Sequence, residues 1–219
     1  MKDERSALKI VCFGDSLTLG YQSPTLRCPF VETIPYGSYL QEWVGERGCV
    51  VVKGVCGETT QDMRLRFHED VLSHVPQVAI LLGGTNDLGC RLTPDMILDN
   101  LRFFYEQAQA HGILPVGVTV PSLRDEFELG YDFSTGQATT AIVERGIALR
   151  VTLNHGIKKL SRDRHFPVVD WFAETCEPET QALASAYSND GLHLNTLGYR
   201  KLAELIWTQV LEDLLKKLE

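Results

Sequence analysis

Ser16 stands at the end of an apolar run, within Ile10-Val11-Cys12-Phe13-Gly14-Asp15-Ser16-Leu17. A hydroxyl at a Gly turn, with a helix following, can attack a carbonyl once a base takes its proton. The plainer role for Asp15-Ser16 is a helix N-cap, which both residue types favour. Far along the chain, Asp190-Gly191-Leu192-His193 offers a carboxylate and an imidazole three residues apart. On a tight turn, that spacing lets Asp190 accept from Nδ1 of His193 and leaves Nε2 for the Ser16 proton. Two glycine-bearing stretches lie between, Gly54-Val55-Cys56-Gly57-Glu58-Thr59-Thr60 and Gly83-Gly84-Thr85-Asn86-Asp87. The Gly57 N–H, the Asn86 amide and the Ser16 N–H are candidate donors to an oxyanion. Such donors contribute roughly 3–4 kcal/mol each. Asp15 and Asp87 are candidate supports beside them. Taken singly, each feature has a structural reading: a turn at Asp190-Gly191, a surface His193, a strand exit and cap at Asn86-Asp87.

These residues act together only if the fold brings them to one edge. Leu8–Phe13 reads as a buried strand, as do Cys49–Val52, Val78–Leu82, Ile113–Thr119 and Phe166–Trp171. Helical patterns alternate with them. Ser38 can cap a helix to about Arg47, and Thr59-Thr60 opens one to about residue 73. Thr93-Pro94 starts another that reaches Ala110, with Pro in its first turn. A long helix covers roughly 138–161, interrupted or kinked near Gly146, and a final one runs from about 196 to 218. Strands alternating with helices predict a three-layer α/β/α sandwich around a five-stranded parallel sheet. The flavodoxin-like order 2-1-3-4-5 places strands 2, 1 and 3 side by side. Ser16, Gly57 and Asn86 then share the carboxyl edge of the sheet, where chemistry is done in open α/β folds.

Two long loops, 22–37 and 121–136, are candidate walls or covers of a pocket. The first carries Leu26, Phe30, Val31, Ile34 and Tyr36, which suits an acyl or aromatic group.

The 219 residues suit one domain, 1–219, with a sizeable core. A net charge of −8 argues against nucleic acid as a partner. No apolar run approaches membrane-spanning length, so no integral membrane segment is expected. The charged start Met1-Lys2-Asp3-Glu4-Arg5 has no secretory h-region, which makes a cytoplasmic location the expectation. Cys12, Cys28, Cys49, Cys56, Cys90 and Cys176 show no CxxC pair and no zinc-like spacing. They read as free thiols, with Cys12 and Cys49 buried beside apolar runs. His68, His74, His111, His155 and His165 show no metal-ligand clustering and read as solvated.

Four blocks, in order, resemble those of SGNH hydrolases, the GDSL-type esterases and lipases. They are Gly14-Asp15-Ser16-Leu17, Gly57 within its loop, Gly84-Thr85-Asn86-Asp87, and Asp190 with His193. One departure is Val52, where the family often has Asn two residues before the first Gly of the second block. The resemblance implies Ser16 as nucleophile, Asp190 and His193 completing the triad, and Gly57 and Asn86 in the oxyanion hole. It also implies a small-molecule acyl ester substrate, no metal and no cofactor. The family includes lysophospholipases, thioesterases, arylesterases and carbohydrate acetylesterases, and the residues do not choose among them. The competing reading is a non-enzymatic flavodoxin-like binding module. Against it, no Gly/Ser/Thr-rich phosphate loop follows the first strand. Oligomeric state is left open.

Overall fold

The computed structural model describes residues 7–26, 29–124 and 139–218. Cys28 and the 125–136 part of the second loop lie outside the described residues.

Five parallel strands form the central sheet: β1 (Leu8–Gly14), β2 (Gly48–Gly54), β3 (Val78–Leu82), β4 (Leu114–Val118) and β5 (Val168–Val169). Their order is 2-1-3-4-5, with β1 flanked by β2 and β3. In register, Gly14 lies opposite Gly54 on one side and Leu82 on the other. The three exits that precede Ser16, Gly57 and Asn86 therefore leave the sheet side by side.

The helices are α1 (Ser16–Leu19), α2 (Tyr36–Val44), α3 (Thr60–Asp70), α4 (Thr85–Gly89), α5 (Pro94–Ala110), α6 (Thr139–Arg164), α7 (Trp171–Thr175), α8 (Thr196–Ile206) and α9 (Glu212–Leu218). Alternation along β1 decides which layer each side chain enters. Phe13 meets Phe67 of α3 and Phe104 of α5 edge-on, at centroid distances of 5.3 and 5.7 Å. Cys12, one residue earlier, faces Gly37 of α2 on the opposite side. Val52 packs there too, and a Cβ on Gly37 would lie 2.6 Å from its Cγ2. The branched side chain at the family's usual Asn position thus fills a gap beside α2.

Several boundaries differ from the sequence expectation, each for a local reason. The helix expected from Ser38 begins at Tyr36, because Pro35 at φ −62° is already set for entry and no side-chain cap is used. It ends at Val44, and Gly45–Arg47 form a 3₁₀ turn. Residues 22–37 are not all loop. Tyr21–Gln22 pairs antiparallel with Glu32–Thr33, and Tyr36 is a fully buried core residue rather than a loop contact. The strand expected over Phe166–Trp171 shrinks to Val168–Val169, because Asp170 accepts from Ala173 N–H and starts α7. The long helix runs unbroken through Gly146. Glycine is used there for close packing, since a Cβ would sit 2.8 Å from Leu123 Cδ2. The last helix is divided by a π-helical turn, Trp207–Leu211. Cys12 is buried, but Cys49 is exposed, because β2 is an edge strand. All five described cysteines are free thiols. No described helix is long and apolar enough to cross a membrane.

Candidate active site

Gly14 ends β1 where no side chain fits, since a Cβ would lie 2.3 Å from the Leu82 carbonyl oxygen. Asp15 then caps α1, its Oδ1 accepting from Leu17 N–H at 2.9 Å. Ser16 follows as the first residue of that helix and is 6% exposed. Its N–H precedes the first helical hydrogen bond and has no protein acceptor among the described residues. Asp15 therefore serves as the cap, which leaves the Ser16 hydroxyl out of the capping role.

Gly57 sits in the turn after β2 at φ +80°, a conformation glycine adopts without cost. Asn86 lies in the first turn of α4 and donates its side-chain amide to the Glu58 carbonyl at 2.8 Å. That bond uses one amide hydrogen and ties Asn86 to the residue following Gly57. The second hydrogen remains for another acceptor. Asp87 points inward. It takes two bonds from Thr60 N–H, at 3.0 and 2.9 Å, and one from the Thr60 hydroxyl at 2.5 Å. Asn100 donates to the same hydroxyl at 2.9 Å and accepts from Arg64 at 3.1 Å. Asp87 thus holds the start of α3 against α4, and with it the frame of the Gly57 turn.

Asp190 and His193 meet as the three-residue spacing suggests. Gly191 turns at φ +78°, and Asp190 Oδ2 lies 2.8 Å from His193 Nδ1. Asp190 Oδ1 accepts the backbone N–H groups of Leu192 and His193, at 2.8 and 2.7 Å. Burial opposes ionisation of Asp190, but the bonds from His193, Ser23 and Leu192 outweigh it and hold the carboxyl below the usual range. A carboxylate on Nδ1 keeps the proton there and leaves Nε2 free as acceptor.

Asp15 behaves oppositely. Complete burial pushes its carboxyl up to about 7, helped by the charge of Asp87 and opposed by the Leu17 N–H and His193. Its Oδ2 has no protein partner among the described residues. The native state therefore keeps a proton that the unfolded chain, at a carboxyl value of 3.8, has already released. Stability attributable to this group is full below pH 4 and is lost as pH rises toward 7. Asn in its place keeps the cap acceptor and does not titrate. Relative to wild type, Asp15→Asn is expected to gain stability from pH 4 to 7, by on the order of 4 kcal/mol. Urea unfolding across that range measures it, and parallel curves for the two proteins would refute the assignment.

Sequence reasoning missed three residues here. Ser23 donates to Asp190 Oδ2 from across the chain. Tyr21 lays its ring on His193, with centroids 4.6 Å apart. Arg66 of α3 donates to the Gly14 carbonyl at 2.8 Å and the Lys53 carbonyl at 3.2 Å. It also pairs with Glu58 at 2.6 Å and Asp70 at 2.9 Å, and lies over the Phe13 ring. One guanidinium thus fixes the exits of β1 and β2 together. No local sequence signal marks these three, because each acts through contacts distant along the chain. Of the remaining histidines, His74 is half-buried and His68, His111, His155 and His165 are exposed.

With this geometry in place, comparison with known proteins is decisive on family. Residues 12–201 match the GDSL-like lipase/acylhydrolase family. The chain belongs to that family. The match takes in all four glycine-, serine-, asparagine- and histidine-bearing segments described above. An uncharacterized lipoprotein of Bacillus subtilis, YqeF, is 34% identical over 125 residues, which is 50% of this chain and 47% of that protein. The chain thus aligns with about half the length of this curated relative. Among solved structures, a GDSL-like lipase from Bacteroides thetaiotaomicron superposes with a TM-score of 0.74 at 20% identity. That superposition covers 97% of this chain and 92% of the other. The aryl esterase of M. smegmatis superposes with a TM-score of 0.70 at 21% identity, over 94% of this chain and 99% of the other. At these identities the two structures speak to the fold. They agree with the α/β/α sandwich of GDSL hydrolases seen in this member.

Proposed function

We propose that this protein is a serine ester hydrolase acting on small or medium acyl esters through an acyl-enzyme on Ser16. The observation that carries the reading is the 2.8 Å bond between His193 Nδ1 and Asp190, which commits the imidazole to one tautomer. In the first half-reaction Ser16 Oγ bonds to the ester carbonyl carbon, and His193 Nε2 takes its proton. The carbonyl π pair moves onto oxygen, and that oxyanion is received by the N–H groups of Ser16 and Gly57 and the free amide hydrogen of Asn86. Collapse of the intermediate expels the alkoxide, which leaves with the proton from His193. Water then attacks the acyl-enzyme by the same sequence and releases the acid and Ser16. Asp190 stabilises the imidazolium in each half.

Exposed Leu26, Phe30 and Val31 support an apolar acyl or aryl group over a sugar. They lie on the segment that begins beside Asp190, and Val55, in the loop before Gly57, is exposed as well. The test is hydrolysis of p-nitrophenyl esters from acetate to decanoate, with labelling by a fluorophosphonate probe alongside. Labelling at Ser16 and an optimum beyond acetate are expected. Turnover of acetate alone would favour a carbohydrate acetylesterase. Absence of both labelling and turnover would favour the binding-module reading.

A further inference from the structure

We propose that Ser23 is a positioning residue for the acid–base pair, acting through Asp190. The inference rests on the reading of Asp190 and His193 given above and names a member of that site outside the family's four blocks.

Asp190 is a carboxylate whose side chain is only 9% exposed. Its Oδ1 is occupied by the turn that contains it, through the N–H groups of Leu192 and His193. Its Oδ2 receives two donors, His193 Nδ1 and the Ser23 hydroxyl. Ser23 is the one of these donors that comes from another part of the chain, 167 residues away. The local turn fixes where Oδ1 sits. Both oxygens turn together about the Cβ–Cγ bond, so that hold also sets the angle at which Oδ2 meets the imidazole. A second donor on Oδ2, attached to a different element, braces the same rotation from outside the turn.

The element that carries Ser23 is itself held firmly. Gly20 ends α1 at φ +82°, and its carbonyl accepts from Ile34 N–H at 2.9 Å. A Cβ on Gly20 would meet the Ile34 carbonyl at 2.3 Å, so the chain passes here only as glycine. Tyr21 pairs with Thr33, and its carbonyl accepts from the Tyr199 hydroxyl at 2.7 Å. Extended chain puts residues two apart on the same side. Tyr21 and Ser23 accordingly both meet the acid–base pair, the ring against His193 and the hydroxyl against Asp190. Gln22, between them, is buried elsewhere and accepts from Thr196 at 3.2 Å. The short segment leaving the nucleophile helix thus turns back across the pair that would activate Ser16.

Removing the hydroxyl has two consequences. Oδ2 loses its external anchor, so fewer molecules hold the imidazole in line. The carboxylate also loses a neutral donor, and more of its charge falls on the imidazolium. Ser23→Ala is therefore expected to lower kcat by roughly tenfold, the effect of one hydrogen bond to a charged group. KM stays near wild type, and the acid limb of kcat/KM moves to higher pH. Ser23→Thr keeps the hydroxyl and restores most of the rate. A readout independent of turnover is the proton NMR signal of His193 Nδ1–H, which shifts in Ser23→Ala and returns in Ser23→Thr. Thermal melting confirms that each variant folds. Wild-type kcat, an unmoved acid limb and an unshifted Nδ1 signal in folded Ser23→Ala would overturn the proposal. If wild type shows no ester hydrolysis yet the Nδ1 signal moves with the hydroxyl, the clamp stands and the esterase reading falls.

Discussion

Ser16→Ala is expected to lose ester hydrolysis by about 10⁴-fold or more, to the level left by the oxyanion donors and binding alone. The methyl group cannot form the acyl bond, and neither neighbour can replace it. Asp15 is committed to the cap of α1, and the next residue, Leu17, carries no nucleophile. Cys56 is exposed on the turn before Gly57, but partial desolvation of its thiol raises the thiol value, which keeps thiolate scarce. The fold should be unaffected, because Ser16 is not the helix cap and its hydroxyl makes no structural bond among the described residues. Side-by-side rates on the preferred p-nitrophenyl ester, with circular dichroism on both proteins, decide the matter. Equal rates in a folded variant would remove Ser16 from the mechanism.

Asp190→Asn should cost nearly as much, about 10⁴-fold in kcat, by a different route. The side-chain oxygen of Asn can keep the Leu192 and His193 N–H bonds that shape the turn. Its NH₂ then replaces Oδ2 and faces both His193 Nδ1 and Ser23. Two donors cannot share that bond, so Nδ1 becomes the acceptor and the imidazole proton moves to Nε2. A nitrogen carrying that proton cannot take one from Ser16. The expected signature is a loss in kcat with little change in KM or melting temperature. Full activity in the folded variant would exclude Asp190 from the mechanism.

What could be read from the chain divides along physical lines. The Val78–Leu82 strand is a continuous apolar run in a doubly covered sheet, and the structure gives those same bounds. The Thr93-Pro94 start of α5 was legible because cap and proline act within one turn, and Thr93 does accept from Met96 N–H. The segments holding Ser16, Gly57 and Asn86 were legible because glycine-bearing strand exits are local, and the strand order makes them neighbours. Elements whose bounds depend on distant partners were not. Asp170 is drawn into a cap and a bond from Thr119 at 3.0 Å, so the apolar run around it yields two strand residues. Cys49 looks like a core residue until the sheet order shows its strand at an edge. Ser23 and Arg66 follow the same rule. A serine in a loop and an arginine on a helix look ordinary until the fold shows what they hold.

The distribution of these groups along the chain has a consequence during synthesis. The candidate nucleophile follows β1 directly, and the two strands that flank β1 both end by residue 82. The imidazole and its carboxylate are added more than 100 residues later, on the turn before α8. Domains fold as units, so a nascent chain that has not yet delivered Asp190 and His193 lacks both the finished domain and the proposed base. On the proposed mechanism, a product cut between residues 82 and 190 would carry the serine without the groups that activate it.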